Sequence, residues 1–389
     1  MPGIYPLKGV VKYYDWGGVS FIPALLQVGN KENNPFAEYW MGTHPLGDSL
    51  VNTGGALFTP LSSIAGQLPF LFKLLDVKDM LSIQVHPSKE AAEKEFAREN
   101  AEGIPPDAPH RNYRDDNHKP ELMVALSDFW LLHGFKPAEN LIYTLLNVAE
   151  LRELLPVFNE AGYAGLYRHV MEMPQSEVNR ILQPLIDNLA SIYKDSEPDR
   201  YDEDYWAARA TNTFNKKGDI DRGIFSIYLF NLVHLKKGEG IFQAAGVPHA
   251  YLEGQNVEIM ANSDNVLRGG LTRKHMDVKE LLKHVKCEAT QPEILSAGQL
   301  TDSERFYKTP VKDFLLTVFE LSAGDRVSFT PAATEILLLT EGKAELDNDR
   351  EAVMLQPGSP CAVVFGGQEV YLSAAAPSLV FRASAPVNK

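Results

Sequence analysis

Short alternations of apolar and polar residues dominate the first third of the chain. FLFKLL (70–75), MLSIQVH (80–86) and ELMVAL (121–126) read as strands separated by Gly, Pro and Asn. In LSIQVH, Ser82, Gln84 and His86 alternate with Leu81, Ile83 and Val85. That period of two turns the three polar side chains to one face. From about 137 to 214 the period lengthens. VNRILQPLIDNLASIY sets Val178, Ile181, Leu182, Leu185, Ile186, Leu189, Ile192 and Tyr193 on one helical stripe. This stretch has no polar pairs at ligand spacing and reads as a packing or lid domain. Strands return near Gly223, where FSIYLFNLVHLKKGEGIFQAAGVPHAYL reads as strand, turn, strand, and LLKHVK (281–286) is helix-like. FLLTVFEL, RVSFT, EILLLTEGKAEL and LVFRA then predict an antiparallel sandwich or barrel over 291–389. GEGIFQAAGVPHAY resembles LQPGSPCAVV, which points to two related β-domains, only the first with a histidine.

At 389 residues the chain exceeds one ordinary core, so two or three domains are expected. The pattern predicts a mainly β protein with an α insertion. A discontinuous β-domain covers 1–136 and 215–290, a helical insert 137–214, and a second β-domain 291–389. No apolar run reaches the ~18–20 residues of a membrane helix, and MPGIYPLKG lacks the apolar region of a secretory signal. The two cysteines, Cys287 and Cys361, make no disulfide framework and suit a reducing cytoplasm. A net charge of −14 argues against nucleic-acid and acidic-membrane partners, although locally convergent Lys and Arg can still bind an anionic small molecule.

Gln84-x-His86 on a strand projects two donors one way, roughly 6.6–6.8 Å apart along the chain. Glu121 opens the next apolar run and His249 follows a Gly-Pro turn. Two imidazoles, a carboxylate and an amide oxygen fit Zn²⁺, with Mn²⁺, Co²⁺ and Fe²⁺ as alternatives. Without thiolates, the set predicts an open position for water or substrate.

YYDWGG (13–18), AEYWMGTHP (37–45), PFLFKLL (69–75), LSIQVHP (81–87), HKPE (118–121), PHAY (248–251) and SDNVLRGGLTRK (263–274) together resemble type I mannose-6-phosphate isomerase. They span most of the first 275 residues in the family's order. The resemblance implies two cupin-type jelly-roll domains with a helical insert, and a monomer acting on a small sugar phosphate with one zinc per chain. It places Gln84, His86, Glu121 and His249 on the metal-ligand positions. Arg268 falls on the active-site arginine, and Lys119 stands beside the ligand in HKPE. Ser82, Lys73 and Lys274 match phosphate-end positions. Trp16, Glu38, Glu258 and Asp264 match pocket residues. The C-terminal domain resembles the family much less and carries no ligand set.

Such an isomerase moves a proton between C2 and C1 of mannose 6-phosphate and fructose 6-phosphate through a cis-enediol. A metal polarises the sugar oxygens, and Arg268 adds fixed charge where the enediolate develops. Lys119 and Glu258 are equal candidates for the base, with metal-bound water a third, and Asp264 is a candidate for orienting a ligand histidine. A metal-binding cupin-like sugar-phosphate binder without turnover is the principal alternative. Oxygenase or glucose-6-phosphate isomerase chemistry on the same scaffold fits the Gln84 ligand and the lysines less well. No Gly-rich loop supports an added nucleotidyltransferase.

Overall fold

The computed structural model describes residues 3–54, 57–192, 199–215 and 218–386. Their strands form three antiparallel sheets. The largest runs Phe230–Leu235, Phe129–Phe135, His249–Ala261, Phe70–Val77, Glu38–His44 and Val10–Lys12. The short strands Glu121–Ala125 and Gln84–Val85 join it along His249–Ala261.

Strand parity decides what faces the interior. Phe70, Phe72 and Leu74, with Val257, Ile259, Leu122 and Val124, pack onto Leu316, Val318, Ile336, Leu338 and Val363 of the C-terminal sheet. The intervening residues therefore face the opposite side. Lys73 sits opposite Glu258 in register, and Glu121 opposite Met260. A one-residue slip would drive Lys73 and Glu258 into the apolar core, so this register is strongly specified.

His249–Ala261 is 13 residues long and changes neighbours midway. Its first half pairs with Phe129–Phe135, and its second with Phe70–Val77 and Glu121–Ala125. The change falls at Gly254, where φ is 132° and a Cβ would lie 2.6 Å from the Phe129 ring and 2.7 Å from the Asp128 carbonyl. Only glycine meets both demands without strain.

The helices Ala138–Asn147, Leu155–Glu172, Gln175–Ile192 and Glu203–Phe214 follow the first β segment. Val178, Ile181, Leu182, Leu185, Ile186 and Leu189 are buried as the stripe predicts, in one core with Ile83, Val85, Trp130, Leu132 and Leu267. Tyr193 lies outside the described residues. The insert thus packs directly behind the short strands that carry Gln84 and Arg268. Among the described residues, no helix is long and apolar enough to cross a membrane.

Three expectations are corrected. Residues Gly223–Leu229 are helical, not strand. All seven are buried, and an apolar run buried on every side carries no periodicity to tell helix from strand. In LSIQVH only Gln84–Val85 is a strand. Leu81 and Ile83 instead donate their N–H groups to the carbonyls of Tyr251 and Gly270. Finally, Ile4–Lys8 does not sit in the sheet of the domain expected over 1–136. It pairs with Cys361–Val364 and with Leu50–Val51, which places it inside the C-terminal sheet. Long-range pairing of this kind leaves no local signature in a sequence.

Candidate metal centre

His86, Glu121 and His249 converge, with one donor atom from each lying within 4.8 Å of the others. All three are buried: His86 is 0% exposed, His249 3% and Glu121 4%. His86 Nε2 lies 3.4 Å from one Glu121 oxygen, and His249 Nε2 lies 3.4 Å from the other.

Hydrogen bonds fix both rings. The His86 Nδ1–H donates to the Asn265 carbonyl at 2.8 Å, and the His249 Nδ1–H donates to the Val247 carbonyl at 3.0 Å. A carbonyl only accepts, so in each neutral imidazole the lone pair is on Nε2, facing Glu121. Burial pushes the His86 pKa down to about 4, so this ring is neutral. Its Nε2 has no hydrogen-bond partner. An orphaned, buried lone pair aimed at a carboxylate is destabilising unless a cation lies between them. The donor set therefore fits a divalent metal with nitrogen and oxygen ligands. Burial by itself would raise the Glu121 carboxyl, but the Lys119 ammonium beside it works the other way, and the carboxyl lies well below the carboxylate range.

Gln84 is the cross-strand register partner of both His249 and Arg268, which sets it next to the cluster along the backbone. Lys119 Nζ lies 2.9 Å from Glu121 Oε1. On the adjoining strands, Lys73 Nζ pairs with Glu258 Oε1 at 3.0 Å, and the Tyr251 hydroxyl donates to Glu258 Oε2 at 2.7 Å. The Trp40 indole donates to Glu38, and Lys73 lies 5.4 Å from the Trp40 ring centroid. Burial raises the Glu38 carboxyl, against the pull of Lys73. At the outer side, burial lowers the Arg268 guanidinium, followed by repulsion from Arg114. Partial burial likewise lowers the Lys274 ammonium, followed by repulsion from Arg268. No ion pair holds either Arg268 or Lys274 among the described residues, so both are available to an anion.

The phosphomannose isomerase type I catalytic domain profile matches residues 4–138. The chain is 36% identical to mannose-6-phosphate isomerase of Salmonella typhimurium over 369 residues, covering 90% of this chain and 91% of that protein. It is 33% identical to the rat mannose-6-phosphate isomerase over 386 residues, covering 88% of each. The chain belongs to the type I mannose-6-phosphate isomerase family. A zinc-bound mannose 6-phosphate isomerase structure superposes with a TM-score of 0.87 at 32% identity, over 99% of this chain and 100% of that one. The Salmonella structure bound to substrate (F6P) and zinc gives 0.86 at 33% identity, with the same coverage.

Within this family frame the expected residues fall into two groups. Gln84, His86, Glu121, His249, Lys119 and Arg268 gather at the centre or on its immediate register neighbours. Lys73, expected at the phosphate end, is 5% exposed and engaged with Glu258. Asp264 does not orient a clustered histidine. Its carboxylate lies 3.4 Å from His44 Nε2, and the neighbouring Asn265 carbonyl orients His86 instead. Ser82 lies in the irregular segment just before the short strand Gln84–Val85 and is partly exposed. Trp16 is partly buried and stacks on Tyr14 at 5.8 Å.

Several neighbours of the centre escaped the sequence reading. His133 is the register partner of His249, Gln243 that of Glu121, and His133 Nδ1 donates to Gln243 Oε1 at 2.8 Å. Tyr14 is another: burial, then the Glu38 charge, push its phenol up to about 12. Strand register is the signal that finds the first two, and it is not readable from one sequence.

Proposed function

We propose that the chain interconverts mannose 6-phosphate and fructose 6-phosphate through a cis-enediol. In this reading it is a monomer holding one zinc ion, with Gln84, His86, Glu121 and His249 as ligands. The carrying observation is the orphaned His86 Nε2 lone pair facing Glu121. Bound zinc supplies Lewis acidity toward the sugar oxygens and a template for them.

The chain's own groups supply the remaining tasks. A base removes the proton from C2, charge spreads over O1 and O2, the O2 hydroxyl proton passes to O1, and the base returns its proton to C1. Arg268, unpaired and on the strand beside Gln84, offers a permanent positive charge to that oxygen pair. Glu258 accepts hydrogen bonds on both carboxylate oxygens, from Lys73 and from Tyr251. Lys119 has a single partner, the ligand carboxylate, and is the better-placed proton carrier. Lys274, which no ion pair holds among the described residues, and Ser82 face the phosphate dianion.

Metal analysis with a coupled isomerase assay tests this reading. One zinc per chain with turnover of mannose 6-phosphate is the expected result. Full zinc occupancy without turnover would instead leave a sugar-phosphate binder.

A further inference from the structure

Asn265 is 0% exposed and uses every polar group it has. Its amide nitrogen donates to the Asp115 carbonyl (2.8 Å), Asp115 Oδ1 (3.2 Å) and the Asn117 carbonyl (2.8 Å). Its amide oxygen accepts the N–H groups of Arg114 (2.7 Å) and Asp115 (3.4 Å). Its own N–H donates to Ser263 Oγ at 3.2 Å, and its carbonyl accepts from His86 Nδ1–H. Asp115 closes the knot. Its Oδ1 accepts from the Ser263 hydroxyl and the Asn117 N–H, and its Oδ2 accepts from the Asp264 N–H at 2.8 Å.

This knot ties together two stretches of chain. Residues 114–117 lead into Lys119 and Glu121. Residues 263–265 link the strand carrying His249 and Glu258 to the strand carrying Arg268. We propose that Asn265, held by Asp115, is a positioning residue of the metal centre. Its backbone fixes the His86 tautomer and ring plane, and its side chain sets the approach of Lys119 and Glu121. Asparagine is required because the site needs donors and an acceptor on one short neutral side chain. Aspartate offers no donor and would oppose the Asp115 carboxylate. Groups that orient a metal-bound imidazole in this way typically govern metal affinity about 10–100-fold.

The inference rests on His86 being a metal ligand, and one experiment separates the two. Zinc-loaded enzyme is mixed with excess chelator and the release rate is followed. Asn265→Ala and Asn265→Asp should release zinc roughly 10–100-fold faster than the unaltered chain. Asp115→Asn, the milder change if those variants fail to fold, should release it about tenfold faster. Glu99→Gln is the control. Glu99 accepts the N–H groups of Asn112 and Tyr113 at the far end of the same loop without touching the His86 partner, so it should release zinc at the unaltered rate. Wild-type release from the Asn265 variants, or equally fast release from Glu99→Gln, overturns the positioning role. An unaltered chain that binds no zinc overturns the ligand reading instead.

Discussion

Lys73 and Glu258 form an ion pair at 3.0 Å across neighbouring strands, and both are almost wholly removed from water. Burial opposes the Lys73 ammonium, but Glu258, then Glu38 and Glu121, outweigh it and raise its pKa above the ordinary lysine value. Lys73 therefore stays charged, and removing one partner strands the other.

Lys73→Met should therefore destabilise the fold by about 3–5 kcal/mol, the usual effect of breaking a buried pair. Lys73→Met with Glu258→Leu should recover much of that loss. Urea denaturation of the metal-free variants measures both. A fully additive double variant would mean that the two side chains do not act as a pair.

Lys119→Gln should lower kcat by roughly 10²–10⁴-fold while leaving the zinc content unchanged, the range expected for loss of a positioned proton carrier. Single-turnover kinetics on zinc-replete protein provide the readout. A near-normal kcat would return the role to Glu258.

Lys274→Ala should raise KM for mannose 6-phosphate roughly tenfold or more, from loss of a charge-assisted contact, with a smaller effect on kcat. Steady-state kinetics at fixed ionic strength separate the two parameters. An equal loss in both would place Lys274 in the reacting region rather than at the phosphate.

Burial, then the neighbouring His249, push the His133 pKa down from 6.5 to about 4. The unfolded chain therefore takes up a proton that the native state resists. The resulting stability is complete above 6.5 and is lost as pH falls toward 4. Metal-free protein should melt at progressively lower temperature across that window, and His133→Asn should flatten the slope. An unchanged slope would show that His133 does not contribute to it.

What the sequence disclosed followed the range of its signals. The stripe from Val178 to Leu189 and the β-like run FLFKLL (70–75) are local, and the structure keeps both. The motifs around Gln84, Glu121 and His249 named donors that lie far apart in the chain. They could not reveal that Asn265, rather than Asp264, turns its carbonyl to His86, because a backbone acceptor has no residue type. Lys73 shows the same limit: nothing local in its strand announces that register places Glu258 opposite it. His133 and Gln243 are visible only once strands are paired.

The placement of Ile4–Lys8 between Leu50–Val51 and Cys361–Val364 has a consequence for biosynthesis. During synthesis this strand meets Leu50–Val51 early, and Cys361–Val364 only after the whole intervening chain has been made. Throughout elongation it presents an open edge, the feature most prone to wrong pairing between nascent chains. Chains stopped short of Cys361 would keep that edge exposed, so closure of the sheet waits on residues made some hundreds of positions later.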